Sequence, residues 1–347
     1  MFILLFVINI LTSLVSLIYL KKSNRTPETK IRLLRTILNV KPFVYFPCII
    51  TLALFLSSFR MRILALLIPL YIVFLILLDA SIFFKLAIQL REGKISFFEY
   101  LKSTLLDTLI IILPLILVVV LKVFFPKLIS SPVYVVAAVI IAYNIGLPYI
   151  QKLKYKECER FEIDYPENVK SKQFRLFKYE GTTAKEANAM ACGIFPPYHI
   201  YVSDYLLDHL TEGEMRAVLL HEIGHIKKHH FLIKNLYLVG LYPLLTLVGW
   251  LLDQYSSSIS MAGGMTVMFL VMIVFGAGIF LLISRLQEYS ADKFAVTALR
   301  DKSQFISALN KIKELNMSAN KVTKGEELLS THPSFSKRIG AIQKISF

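Results

Sequence analysis

His221-Glu222-Ile223-Gly224-His225 is the stretch on which the reading of this chain turns. It follows Met215, Val218 and Leu219, and Thr211 with Glu214 forms a T-x-x-E start signal. A helix is therefore expected to begin at Thr211. On a helix the two histidines stand one turn apart on one face, where a single zinc ion can take both. The glutamate between them stands where it can deprotonate a metal-bound water. The pattern points to peptide-bond hydrolysis, with His221 and His225 as zinc ligands and Glu222 as general base.

A hydrolytic zinc site needs a third protein ligand and one position open to water. A third histidine six residues after the second is excluded, because position 231 is Phe and position 228 is Lys. His229 reads as a solvated member of the run Lys227-Lys228-His229-His230. The alternative is a glutamate on a second helix. Glu288 fits in Ser284-Arg285-Leu286-Gln287-Glu288-Tyr289-Ser290-Ala291-Asp292, where Glu288 and Asp292 are i and i+4 and share a face. The expectation is that Glu288 binds zinc and that Asp292 accepts a hydrogen bond from the far nitrogen of a ligand histidine. Arg285 is expected to hold the Glu288 carboxylate. Two histidines and a carboxylate also suit a non-haem iron oxygenase. The glutamate inside the pair favours hydrolysis, since an oxygenase needs no base there.

The surroundings say where such chemistry would happen. The 347-residue chain is 56% hydrophobic, well beyond a soluble domain's share. Seven stretches approach the length that crosses a bilayer: Phe2–Leu20, Pro42–Ser58, Ile63–Phe84, Thr104–Phe125, Pro132–Ile150, Asn235–Leu252 and Met261–Ser284. With the N-terminus outside, only Arg60, Arg62, Lys122 and Lys127 of the 39 Lys and Arg fall on the outer side. That asymmetry is the one expected when positive loops stay in the cytoplasm. The net charge of +15 is thus a topology signal, with no nucleic-acid partner implied. The first span lacks a positive n-region, and Lys21-Lys22 follow it, so it reads as a retained anchor. Cys48, Cys158 and Cys192 show no metal-binding or disulfide spacing. Asp79 and Asp107 lie near span ends and read as interfacial, which speaks against a transporter. No DNA-binding pattern follows residue 284, which speaks against a membrane sensor that signals through its zinc domain.

Four regions result: 1–150 with five spans, 151–231 as the first half of a polar catalytic domain, 232–284 with two spans, and 285–347 as its second half. Phe174–Tyr179 and His199–Val202 read as strands, with 186–192 as a third. Glu288 follows the last apolar residue of span seven by about 6 Å along a helix, and His225 precedes Leu232 by about 10 Å. Both half-sites therefore sit at similar depth below the cytoplasmic face.

H-E-I-G-H at 221–225 with S-R-x-x-E-x-x-A-D at 284–292 resembles the membrane zinc metalloproteases that include HtpX and the type-1 CAAX prenyl protease. Asn188-Ala189-Met190-Ala191-Cys192-Gly193 is similar to that family's N-A-x-x-x-G segment. Thr331-His332-Pro333-Ser334 with Arg338 is similar to its T-H-P-x motif. The seven-span layout looks like the CAAX branch, although this chain is shorter than its typical members. The resemblance implies a mainly α-helical integral membrane protein. It would carry a small cytoplasmic α+β zincin-like metalloprotease domain split by the last two spans, with a C-terminus in the cytoplasm. It implies one Zn2+ per chain and a peptide or protein substrate, membrane-associated or lipidated. Asn188 and the strand Ala189, Met190 and Ala191 would hold the substrate backbone. His332 and Arg338 would stabilise the oxyanion. The alternatives left open are a prenyl protease proper, acting on prenylated C-termini, and a zinc-domain sensor.

Overall fold

A computed structural model describes residues 2–27, most of 29–37, 67–91, 94–106, 159–161, 173–255, 261–316 and 330–346, with isolated positions between 107 and 158. Helices dominate. Two apolar helices, α1 (Phe2–Lys22) and α2 (Leu67–Arg91), pack against each other through Leu20, Phe83 and Leu86. A four-stranded sheet follows: β1 (Glu159–Phe161), β2 (Phe174–Tyr179), β3 (Ala189–Cys192) and β4 (Tyr198–Ser203). Its order is β1-β2-β4-β3. The β2–β4 pair is parallel and the other two are antiparallel, which leaves β3 at an edge. Helices α3 (Asp204–His209), α4 (Glu212–Lys227) and the apolar α5 (His230–Gln254) come next. A continuous helical rod then runs as α6 (Met261–Val271), a π-helical stretch Met272–Gly278, and α7 (Ile279–Leu299). Helices α8 (Lys302–Leu315) and α9 (Phe335–Gln343) close the chain.

Three helices among the described residues are long and apolar enough to cross a membrane: Leu70–Leu90, His230–Gln254 and Thr266–Leu299. The expected first span coincides with α1. The expected third span runs on past Phe84 to Arg91, and the seventh continues past Ser284 without a break. The second span and most of the fourth and fifth, with Asp107, lie outside the described residues. Extension of the third span moves Asp79 from the end of an apolar stretch to the middle of α2. It is buried there and accepts a hydrogen bond from Ser13 of α1. A carboxylate buried between apolar helices is paired because an unpaired one is costly in such surroundings.

Residues on either side of α5 and α6 share one core. Leu176, Ile200 and Val202 from the sheet meet Ala217, Leu220 and Ile223 of α4, Ala295 and Val296 of α7, Phe305 of α8 and Ile342 of α9. Each contributor is apolar on the face turned inward, so burial of these faces drives the assembly. The strands expected at 174–179 and 199–202 are present, the latter one residue longer at each end. The segment 186–192 yields a strand only from Ala189. β1 was not foreseen, as three residues carry no periodicity.

Helix α4 begins as its start signal requires. Thr211 Oγ1 accepts from the Glu214 amide, and Glu214 Oε2 accepts from the Thr211 amide at 2.8 Å. Glu214 is buried and also binds α8, with Ser307 Oγ donating to Oε1 at 2.6 Å and Lys311 Nζ 3.3 Å from Oε2. Burial raises the pKa of Glu214, but hydrogen bonds from Ser307, Thr211 and Lys311 outweigh it and hold the carboxyl below its ordinary value. A depressed carboxyl stabilises the fold above its unfolded pKa, and that contribution is lost as pH falls through the folded pKa. Glu214→Ala is expected to cost about 1–3 kcal/mol at pH 7 from the lost cap and the orphaned partners. The gap to wild type should shrink as the pH drops below about 4. Thermal midpoints of the two proteins across that pH range check this; coincident midpoints at pH 7 would refute it.

Candidate active site

Helices α4 and α7 cross at close quarters, and Gly224 is what permits it. A Cβ on Gly224 would lie 3.1 Å from Ala291 Cα and 3.2 Å from Ala291 O and Phe294 Cδ1. Any side chain there would force the two backbones apart. The contact point lies between His221 and His225 on one helix and between Glu288 and Asp292 on the other. The face carrying His221 and His225 is thereby pressed against the face carrying Glu288 and Asp292.

His221 Nε2 and His225 Nε2 are 3.1 Å apart. Glu288 Oε2 is 3.6 Å from the first and Oε1 is 3.4 Å from the second. One ligand atom from each of the three residues lies within 4.8 Å of the others. These residues fit a zinc ion. Nδ1 of His221 faces Asp292 Oδ1 at 2.9 Å, so its Nε2 presents a lone pair inward. Glu288 Oε2 is buried without a well-formed hydrogen bond. Two ring nitrogens and a buried carboxylate oxygen converging on one point are the donor types and number that a hydrolytic zinc site uses. Burial works against a charged His221, but hydrogen bonds to Asp292 and Glu288 outweigh it and raise its pKa to about 9.

Asp292 is itself fixed. Arg338 from α9 donates through Nε to Oδ2 (2.8 Å) and through Nη2 to Oδ1 (2.6 Å), a two-pronged pair with little freedom. Its Nη1 is 3.4 Å from Glu288 Oε2. Burial lowers the pKa of Arg338, and the charge of Asp292 reverses this, leaving a net upward shift. His332 brings Nδ1 to 3.0 Å from Glu288 Oε2 while its side chain stays 64% exposed. Arg285 reaches the Ser330 carbonyl at 3.5 Å. The guanidinium found beside Glu288 is that of Arg338.

The edge strand runs alongside. The Ala191 amide donates to Glu222 Oε2 at 2.9 Å, which holds the glutamate carboxylate against β3. Ala189 and Met190 are half-buried on the same strand. Asn188 turns its side chain inward, donating to Glu186 Oε1 at 3.1 Å, and its amide donates to Ser203 Oγ. Cys192 is buried, which pushes its thiol pKa up to about 12. His229 is exposed at the break between α4 and α5, with φ 53°. The next residue was missed from sequence: His230 is buried and places Nδ1 2.8 Å from Nδ1 of His225. Its signal was hidden in a run of four basic residues whose helix breaks at His229.

Comparison with known proteins gives the chain a family. Residues 164–346, more than half of the chain, match Peptidase family M48. The protein named Protease HtpX from Acinetobacter baumannii (strain AYE) is 30% identical over 200 residues, covering 46% of this chain and 66% of that one. The chain thus spans just under two thirds of that relative's length. A Protease HtpX homolog from Bacteroides fragilis (strain YCH46) is 32% identical over 139 residues, 36% of this chain and 43% of its own. The crystal structure of S. mikatae Ste24p is similar in fold over 98% of this chain and 96% of that chain, with TM-score 0.58 and 18% identity. On the strength of the match across its catalytic half, the chain belongs to peptidase family M48.

Proposed function

We propose that the protein is a membrane-embedded zinc metalloendopeptidase whose catalytic domain and C-terminus face the cytoplasm and whose N-terminus lies outside. The observation that carries the reading is the convergence of His221, His225 and Glu288, with Glu222 beside them. These three would hold the zinc, supported by Asp292 and by Arg338, which takes the place beside Glu288 expected for Arg285. Bound there, the metal would supply Lewis acidity and a water acidified toward pH 7. Glu222 takes the water proton and returns it to the leaving amine. Its carboxylate is kept beside the β3 edge by Ala191, so a substrate strand laid along Ala189–Ala191 passes next to the base. Asn188 stands at the start of that strand. His332, exposed and 3.0 Å from Glu288 Oε2, would stand beside a developing oxyanion. Arg338 lends positive charge to the same corner from a fixed position.

A narrower second reading, cleavage of prenylated C-termini, comes from the resemblance of the motifs to the CAAX prenyl protease branch. One experiment addresses both. The purified protein in detergent should carry one zinc per chain and cleave unstructured casein or a prenylated peptide. A chelator should stop the cleavage and added zinc should restore it. Preference for the prenylated peptide over its unprenylated form would select the narrower reading. A protein with stoichiometric zinc that cleaves neither substrate would overturn the peptidase assignment.

A further inference from the structure

The two histidines of the site are oriented by different means. His221 has a carboxylate behind it, Asp292 at 2.9 Å, clamped in turn by Arg338. His225 has an imidazole behind it. His230 lies five residues further on, which in an uninterrupted helix would carry it to another face. It comes back because the chain breaks between α4 and α5. His229 adopts φ 53° in the left-handed region, and α5 begins at His230. The ring of His230 then meets that of His225 with centroids 4.9 Å apart and planes at 74°, Nδ1 to Nδ1 at 2.8 Å. Two nitrogens at that distance share one hydrogen, so one donates and the other accepts.

We propose that His230 is a positioning residue for the metal ligand His225: it accepts the Nδ1–H of His225 and thereby keeps the Nε2 lone pair of His225 turned toward His221 and Glu288. The proposal rests on the zinc-site reading above. The direction of the bond follows from the ligand geometry. Nε2 of His225 is the nitrogen that faces Glu288 at 3.4 Å, so the proton must sit on Nδ1, and His230 must accept through a neutral ring protonated at Nε2. His230 is only 3% exposed, and its carbonyl accepts from Gln287 Nε2 at 3.1 Å. Adjacent residues of α7, Gln287 and Glu288, thus fix the support of the second ligand and supply the third. A retained positive φ at a non-glycine residue is a local cost that the surrounding structure must hold in place. Here it places one imidazole behind another.

The test compares two substitutions of nearly equal shape in the full-length protein. His230→Asn keeps an acceptor oxygen near the position of Nδ1, and His230→Leu removes it. Zinc affinity, measured by competition with a chromogenic chelator, should fall about 10–100-fold for His230→Leu. It should stay within a few-fold of wild type for His230→Asn. Equal affinity in wild type and His230→Leu would overturn the proposal, as would an equal loss in both variants. A wild type that takes up no zinc would instead overturn the metal site itself. If His230→Leu does not fold, nitrogen-15 spectra of the histidines in zinc-loaded wild type decide the matter. His230 protonated at Nε2 with His225 protonated at Nδ1 is the expected pair; His230 protonated at Nδ1 would overturn the proposal.

Discussion

Glu222→Gln should leave a folded, zinc-loaded protein whose peptide cleavage is slowed by at least about 10²–10⁴-fold, the share ordinarily carried by a positioned general base. The substitution is close to isosteric. Its amide oxygen can still accept from the Ala191 amide, which binds Glu222 Oε2 at 2.9 Å, so the edge strand and the helix keep their spacing. What is lost is the capacity to take a proton. The metal-facing atoms belong to His221, His225 and Glu288, so zinc content should be unchanged. Casein cleavage and zinc per chain, measured on the same preparation, separate the two roles. Undiminished cleavage by the Glu222→Gln protein would remove this residue from the chemistry.

The second large effect concerns stability. Arg338 is 8% exposed and is the counter-charge for Asp292, with its Nη1 beside Glu288. Arg338→Leu would leave two buried carboxylates short of their partner. Breaking a buried pair from one side costs about 3–5 kcal/mol, far more than an exposed ion pair is worth. The metal-free protein should therefore lose much of its thermal stability, and zinc should recover part of it by neutralising Glu288. The double substitution Arg338→Leu with Asp292→Leu should be less damaging than the two single costs added together, because no charge is then stranded. A metal-free Arg338→Leu protein with the midpoint of wild type would sink the argument.

Much of this arrangement was readable from residue order. The spacing of His221 and His225 and the shared face of Glu288 and Asp292 are helical arithmetic, and the T-x-x-E signal marks where α4 starts. The approach of α4 to α7 was not readable, because it depends on a missing side chain at Gly224 meeting backbone from a helix 67 positions away. Arg338 illustrates the same limit. Its motif fixed attention on it, but only tertiary packing sets its guanidinium astride Asp292. His230 was hidden because periodicity assumes a continuous helix, and the left-handed residue before it resets the phase. The place of Asp79 at the middle of α2 was hidden for the opposite reason: the helix continues to Arg91, beyond the end of the apolar run.

The π-helical stretch Met272–Gly278 has a consequence for how this chain tolerates change. It lies between the apolar α6 and the ligand-bearing part of α7, within one unbroken rod. In the α-helical parts of such a rod the removal of one residue turns everything beyond it by about 100° and draws it in by about 1.5 Å. Glu288 would then face away from the histidines, or the apolar segment would have to rotate in its surroundings. The residues of this stretch can be exchanged for others of similar polarity. The π turns, with an extra residue per ring, can give one up by tightening to α; α6 and α7 hold no such slack, so insertions and deletions should be tolerated before Met261 and after Leu299 far sooner than within those two helices.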